Sequence, residues 1–129
     1  MPALTLPLIY AITDRKVSGV NDHAEIARRL FDVGIRLLQV REKEIPDSDL
    51  LAAVDRVAAM GREQGARVLI NDRADIAHLA GVGVHLGHED LPAPAARRLL
   101  ADGSLVGVST HDPDAAARAF ADPACDYVA

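Results

Sequence analysis

Val68-Leu69-Ile70-Asn71-Asp72-Arg73-Ala74-Asp75-Ile76-Ala77-His78-Leu79-Ala80-Gly81-Val82-Gly83-Val84-His85-Leu86 places two short apolar runs on either side of a segment with helical period. Val68-Leu69-Ile70 reads as a strand. Ile76 and Leu79 mark a short helix that Gly81 stops, and Val82 to Leu86 reads as the next strand. A strand, a helix and a strand in succession call for parallel pairing through a right-handed crossover.

The same alternation extends in both directions. Upstream, Pro7 to Ile12 reads as a first strand. A helix carrying Ile26, Leu30 and Val33 follows, with Asn21 as its cap and Gly34 as its stop, and Ile35 to Val40 reads as a second strand. Asp47 is expected to cap a helix burying Leu50, Leu51, Val54 and Val57, which ends at Gly65. Downstream, Pro94 suits the first turn of a helix, Leu105 to Val108 reads as a fifth strand, and Asp112-Pro113 opens another helix. Asp126-Tyr127-Val128-Ala129 reads as a sixth strand that stops as it starts. No linker or low-complexity tract interrupts the pattern, so residues 1–129 are expected to form a single domain.

Two architectures satisfy this pattern. A five-stranded doubly wound sheet suits 129 residues, whereas a complete (β/α)8 barrel takes about 200 or more. Length favours the first and the strand at the end favours the second.

Composition narrows the function. The net charge is −5 and aromatic residues are 3% of the chain, which argues against a nucleic-acid binder with a basic field and stacking rings. No stretch approaches the roughly 20 apolar residues of a membrane span. The segment from Met1 to Leu8 has neither a basic start nor a long apolar run, so no signal peptide is expected. Cys125 is the one cysteine and fits a reducing compartment. A cytoplasmic protein that works on small molecules is the class that survives.

Polar residues gather where each strand ends, and in parallel α/β folds ligand sites are built along that rim. Gln39, Arg41 and Lys43 alternate, which on a strand would put all three on one face. Two cations beside an amide suit a phosphate or diphosphate. The alternative is a strand that ends at Val40, with Arg41-Glu42-Lys43 as a surface charge cluster. Lys43 and Lys16 are the only lysines in a chain that otherwise uses arginine. Asp72 and Asp90 each follow an apolar strand, and Mg²⁺ takes one or two carboxylates together with phosphate oxygens. Asp72 equally suits the cap of the next helix. The spacing His85-x-x-His88 has no distant partner pair that would make a zinc site. Ser109 follows the fifth strand with no general base evident nearby, so it reads as a hydrogen-bonding ligand.

Taken together, five motifs resemble the thiamine phosphate synthase family. They are Tyr10-Ala11-Ile12-Thr13-Asp14-Arg15, Gln39-Val40-Arg41-Glu42-Lys43, Ile70-Asn71-Asp72-Arg73-Ala74-Asp75, His85-Leu86-Gly87-His88-Glu89-Asp90-Leu91-Pro92 and Gly107-Val108-Ser109-Thr110-His111. The similarity runs from about Leu8 to the last residue, in the family's order and spacing. It implies a (β/α)8 TIM barrel, truncated here after about five βα units at the start of the sixth strand. It also implies a transferase that joins 4-amino-2-methyl-5-(diphosphomethyl)pyrimidine to thiazole phosphate, releasing pyrophosphate with Mg²⁺ in thiamine biosynthesis. By resemblance, Gln39, Arg41 and Lys43 hold the pyrimidine diphosphate with Asn71 beside them, Asp72 and Asp90 bind Mg²⁺, and Ser109 contacts the pyrimidine. No residue is assigned as a catalytic acid or base.

His88 stands where the family usually has glutamine. The family's Gly-Pro-x-Phe-x-Thr-x-x-Lys segment and its later glycine-rich loops, which supply the thiazole phosphate site, have no counterpart in this sequence. Two other readings follow from these departures. One is the thiazole tautomerase of the sister family; the other is a non-catalytic fragment that binds pyrimidine diphosphate and self-associates through open sheet edges.

Overall fold

The computed structural model describes residues 4–129; residues 1–3, which open the segment read for a signal peptide, lie outside the described residues. Six strands alternate with helices along the chain. The chain divides into two compact units, residues 1–68 and residues 69–129.

In the first unit, β1 (Ala11–Thr13) is followed by a four-residue helix α1 (Arg15–Ser18), then α2 (His23–Asp32), β2 (Leu37–Val40) and α3 (Asp47–Gln64). β1 and β2 pair in parallel, Ala11 opposite Leu38 and Thr13 opposite Val40. All four residues of β2 are buried, as expected of a parallel strand covered on both faces. α2 turns Ala24, Ile26, Ala27 and Phe31 inward, and α3 does the same with Leu50, Val54, Val57 and Ala58. Gly61 of α3 is needed for packing, because a Cβ there would stand 2.7 Å from Val68 Cγ2.

The second unit takes in the end of β3 (Arg67–Asn71) and then α4 (Ala74–Ala80), β4 (Gly83–Leu86), α5 (Ala93–Leu99), β5 (Val106–Val108), α6 (Pro113–Ala121) and β6 (Tyr127–Val128). β3, β4, β5 and β6 lie side by side in chain order, each pair parallel. That order decides between the two expected architectures. A doubly wound sheet reverses its strand order at a switch point, whereas a barrel adds each strand beside the last. The second unit adds strands without reversal, as the successive βα units of a (β/α) barrel do. The described residues hold five such units and the sixth strand.

Several boundaries differ from the sequence reading for identifiable reasons. β1 begins at Ala11 rather than Pro7, and Leu8 and Ile9 are exposed. α1 is too short to show a helical period. It is held by its ends, with Asp14 Oδ1 accepting from the Lys16 and Val17 amides and Gly19 in the left-handed region at φ 71°. Asp22, not Asn21, caps α2. Asp47 is the first residue of α3 and makes no side-chain cap bond, the cap position being Pro46. Leu51 is only half-buried, and Leu79 is 64% exposed.

Among the described residues, no helix is long and apolar enough to cross a membrane.

Candidate active-site rim

The candidate residues fall at the C-terminal ends of strands in both units: Gln39, Arg41 and Lys43 in the first, and Asn71, Asp72, Asp90 and Ser109 in the second.

In the first unit the strand ends at Val40, so the alternation expected of Gln39, Arg41 and Lys43 is not the alternation of one strand face. Gln39 is buried at 3% exposure, and its Nε2 donates to the Tyr10 hydroxyl at 2.8 Å. The backbone carries the pairing one step further, Arg41 N donating to Thr13 O at 3.0 Å, and then leaves the sheet. Arg41 and Lys43 are exposed in the loop that follows, and both line a cleft of about 600 Å³. Arg41 donates through Nη1 to Asp14 Oδ2 at 2.8 Å. Asp14 is held below the usual carboxylate range, chiefly by the Val17 amide; burial opposes this, and Arg41 and the Lys16 amide add to the lowering.

Glu42, between the two cations, turns inward and organises the loop. Its Oε1 accepts from Arg15 Nε and from His23 Nε2 at 3.0 Å, while its Oε2 accepts from the Lys43 and Glu44 amides at 3.0 and 3.2 Å. Burial raises its pKa, but the hydrogen bonds from Arg15, His23 and the two amides outweigh that and bring it down to about 2. His23 is 2% exposed, and its Nδ1 lies 2.8 Å from Thr13 Oγ1. A carboxylate can only accept, so Nε2 carries a proton, and in the neutral ring Nδ1 then accepts from the threonine hydroxyl. Nothing in the local sequence pairs Thr13, His23 and Glu42; the fold brings them together.

In the second unit, Asn71 ends β3 opposite His85 of β4. Asp72 does not cap α4; the cap position is Arg73. Instead Asp72 adopts φ 68°, the one non-glycine residue with positive φ among the described residues, and its amide donates to His85 O at 2.8 Å. That conformation costs most residues energy, and such strain concentrates at functional positions. Asp90 folds back on the β4 exit, Oδ2 accepting from Gly87 N at 2.7 Å. Its Oδ1 accepts no hydrogen bond among the described residues. An oriented carboxylate with one oxygen so placed suits a hard cation that takes oxygen ligands. Among the described residues there is no group of three or more His, Cys, Asp or Glu that could hold a metal ion, so a cation here would rely on one or two carboxylates plus ligand oxygens and water.

Ser109 departs from the sequence reading, because a histidine stands beside it. Its Oγ lies 2.6 Å from Nε2 of His85, whose Nδ1 lies 2.7 Å from the Tyr127 hydroxyl. His85 is 8% exposed, and burial depresses its pKa below the ordinary histidine value, Asp90 acting more weakly in the other direction. His88 and His111, at the β4 and β5 exits, meet edge to face with ring centroids 5.8 Å apart.

Comparison with known proteins gives consistent likenesses. Residues 9–129 match the family model described as thiamine monophosphate synthase. A thiamine-phosphate synthase of Methanoculleus marisnigri is 40% identical over 122 residues, covering 94% of this chain and 57% of the relative. A thiamine-phosphate synthase of Mycobacterium sp. (strain KMS) is 40% identical over 132 residues, covering 94% of this chain and 58% of the relative. The solved structure of a thiamine phosphate pyrophosphorylase from Pyrococcus furiosus superposes with a TM-score of 0.82 at 28% identity, covering 92% of this chain and 57% of that one. The chain therefore spans a little over half the length of the relatives it matches.

Proposed function

The chain belongs to the thiamine monophosphate synthase family, and from that premise we propose that it binds 4-amino-2-methyl-5-(diphosphomethyl)pyrimidine with Mg²⁺, for coupling to thiazole phosphate with release of pyrophosphate. The observation that carries the proposal is that the family match, over residues 9–129, includes all seven candidate residues.

Each residue has a task in this reading. Arg41 engages Asp14 through Nη1 alone, so Nε and Nη2 remain for phosphate oxygens, and Lys43 adds a compact charge from the same loop. Gln39 offers its amide beneath that loop, with Tyr10 fixing its orientation. Asn71, at the end of β3, would add a second amide, and Ser109 meets the pyrimidine part. Asp72 and Asp90 would hold Mg²⁺, which when bound neutralises charge on the leaving diphosphate.

The chemistry asks the residues for charge neutralisation more than for a strong base. The bond between the pyrimidine methylene carbon and the diphosphate oxygen breaks, and pyrophosphate leaves with the electron pair. The thiazole nitrogen then forms a new bond to the methylene carbon with its own lone pair. No proton transfer is required at either step, in keeping with a rim rich in Arg and Lys and with no residue assigned as acid or base. The single cysteine supports a reducing, cytoplasmic setting.

The test follows pyrophosphate release and binding together, with both substrates and Mg²⁺ present. Release of pyrophosphate with formation of thiamine phosphate supports the full reading. Pyrimidine-diphosphate binding without release favours the non-catalytic reading, and neither binding nor release overturns the proposal.

A further inference from the structure

We infer that His85 and Tyr127 are positioning residues that make the Ser109 hydroxyl a hydrogen-bond donor to the ligand. The inference rests on the proposed function for the identity of that ligand, and on the structure alone for the direction of the bond.

The arrangement begins in the strand register. His85 of β4 pairs with Gly107 of β5, and Gly107 pairs with Tyr127 of β6, so the three lie in one row across the sheet. Adjacent strands are roughly 4.8 Å apart, which normally puts a third side chain between residues two strands away. Here the middle residue is glycine. A Cβ at position 107 would stand 2.0 Å from Tyr127 Cζ, so the tyrosine ring occupies the space that any other residue would fill. His85 and Tyr127 meet above it with ring centroids 5.6 Å apart.

The hydrogen bonds then fix the proton positions. A neutral imidazole has one donor and one acceptor nitrogen. His85 is buried, with Tyr127 at Nδ1 and Ser109 at Nε2. Two directions are available to the chain, and they differ in which hydroxyl donates to the ring. A phenol, with a pKa of about 10, is a stronger acid than an alkyl hydroxyl and is therefore the better donor. Tyr127 donates to Nδ1, Nε2 carries the proton, and Nε2–H donates to Ser109 Oγ. The Ser109 proton must then point elsewhere, and among the described residues no acceptor for it is recorded. Ser109 is half-exposed, so the proton is available to a ligand. The ligand atom that receives this proton must be an acceptor, such as a ring nitrogen of the pyrimidine.

The experiment reads the tautomer and the affinity separately. Long-range ¹H–¹⁵N NMR on the ligand-free chain should show His85 with a protonated Nε2 and a pyridine-like Nδ1. Tyr127→Phe removes the donor to Nδ1, freeing Ser109 to turn its proton onto Nε2. The His85 nitrogen shifts should change, and pyrimidine-diphosphate affinity should fall about tenfold while thermal unfolding stays cooperative. Ser109→Ala serves as the reference for complete loss of the donor. A His85 protonated on Nδ1 in the unmutated protein overturns the inference, as does a Tyr127→Phe variant that binds like the parent. If the parent binds no pyrimidine diphosphate, the proposed function fails, while the tautomer still decides the direction of the relay.

Discussion

Glu42 shows how one side chain sets the chemistry of a loop. It accepts from Arg15, His23 and two backbone amides, so the exposed positions on either side of it present Arg41 and Lys43 to the cleft. Its pKa falls from 4.5 to about 2 on folding. A depressed carboxylate contributes stability that is fully present above the unfolded value and is lost as pH falls through the folded one. Glu42→Gln should therefore cost about 1.5–3 kcal/mol at neutral pH, the usual worth of charged hydrogen bonds. The gap between parent and variant should close as pH drops from about 4.5 to about 2. Denaturant titrations across that range check this, and a pH-independent gap would mean that shape, not charge, holds the loop. In the proposed function Lys43 contacts the diphosphate of the ligand. Lys43→Ala should weaken binding of the pyrimidine diphosphate roughly ten- to a hundredfold, as expected for a charged contact, and leave the pyrimidine alcohol almost unaffected. Equal losses for the two ligands would make Lys43 a structural residue.

At the scale of elements, the alternation of strands and helices was legible where apolar runs are buried on both faces, as in β2 and β4, and where a glycine ends the helix, as in α3 and α4. Gly65 and Gly81 cap α3 and α4 in the left-handed region, where the sequence placed their stops. What stayed hidden depends on contacts between residues far apart in the chain. α1 has too few residues for a period, and the strand alternation carried past Val40 misassigned Arg41 and Lys43 to a strand face. Thr13–His23–Glu42 and His85–Ser109–Tyr127 join three elements each, and no spacing rule relates them. By contrast, the residue types at the strand ends could be read directly from the sequence, as cations that suit a phosphate and carboxylates that suit a hard cation. Gly83 offers a test of packing at this scale. A Cβ there would stand 2.5 Å from the Leu105 carbonyl oxygen, a backbone atom that cannot swing away. Gly83→Ala should destabilise the second unit by about 1–3 kcal/mol, typical of overpacking. Thermal melts should show a lowered midpoint; an unchanged midpoint would mean that β4 and β5 separate freely.

For the whole molecule, the exposed apolar residues raise the question of association. Leu8, Ile9 and Ile12 lie in or just before β1 at 104%, 63% and 51% exposure, and among the described residues β1 is paired with β2. A strand with an unpaired edge and apolar side chains is a template for another strand. We propose that the isolated chain self-associates through this edge. Sedimentation should show mass rising with concentration, and Ile9→Lys with Ile12→Lys should suppress the rise; a chain that stays monomeric at high concentration contradicts the idea. The central claim, however, concerns ligand and metal, and one calorimetric titration tests it directly. Pyrimidine diphosphate is titrated into the unmutated chain with and without Mg²⁺, and then into Asp72→Asn and Asp90→Asn. Asparagine tolerates the left-handed backbone at position 72, so a changed response there reports the carboxylate rather than the fold. Binding should tighten with Mg²⁺ in the parent, and each variant should lose that gain. The same affinity with and without Mg²⁺ in the parent would contradict the metal assignment, and no binding under either condition would contradict the proposed function itself.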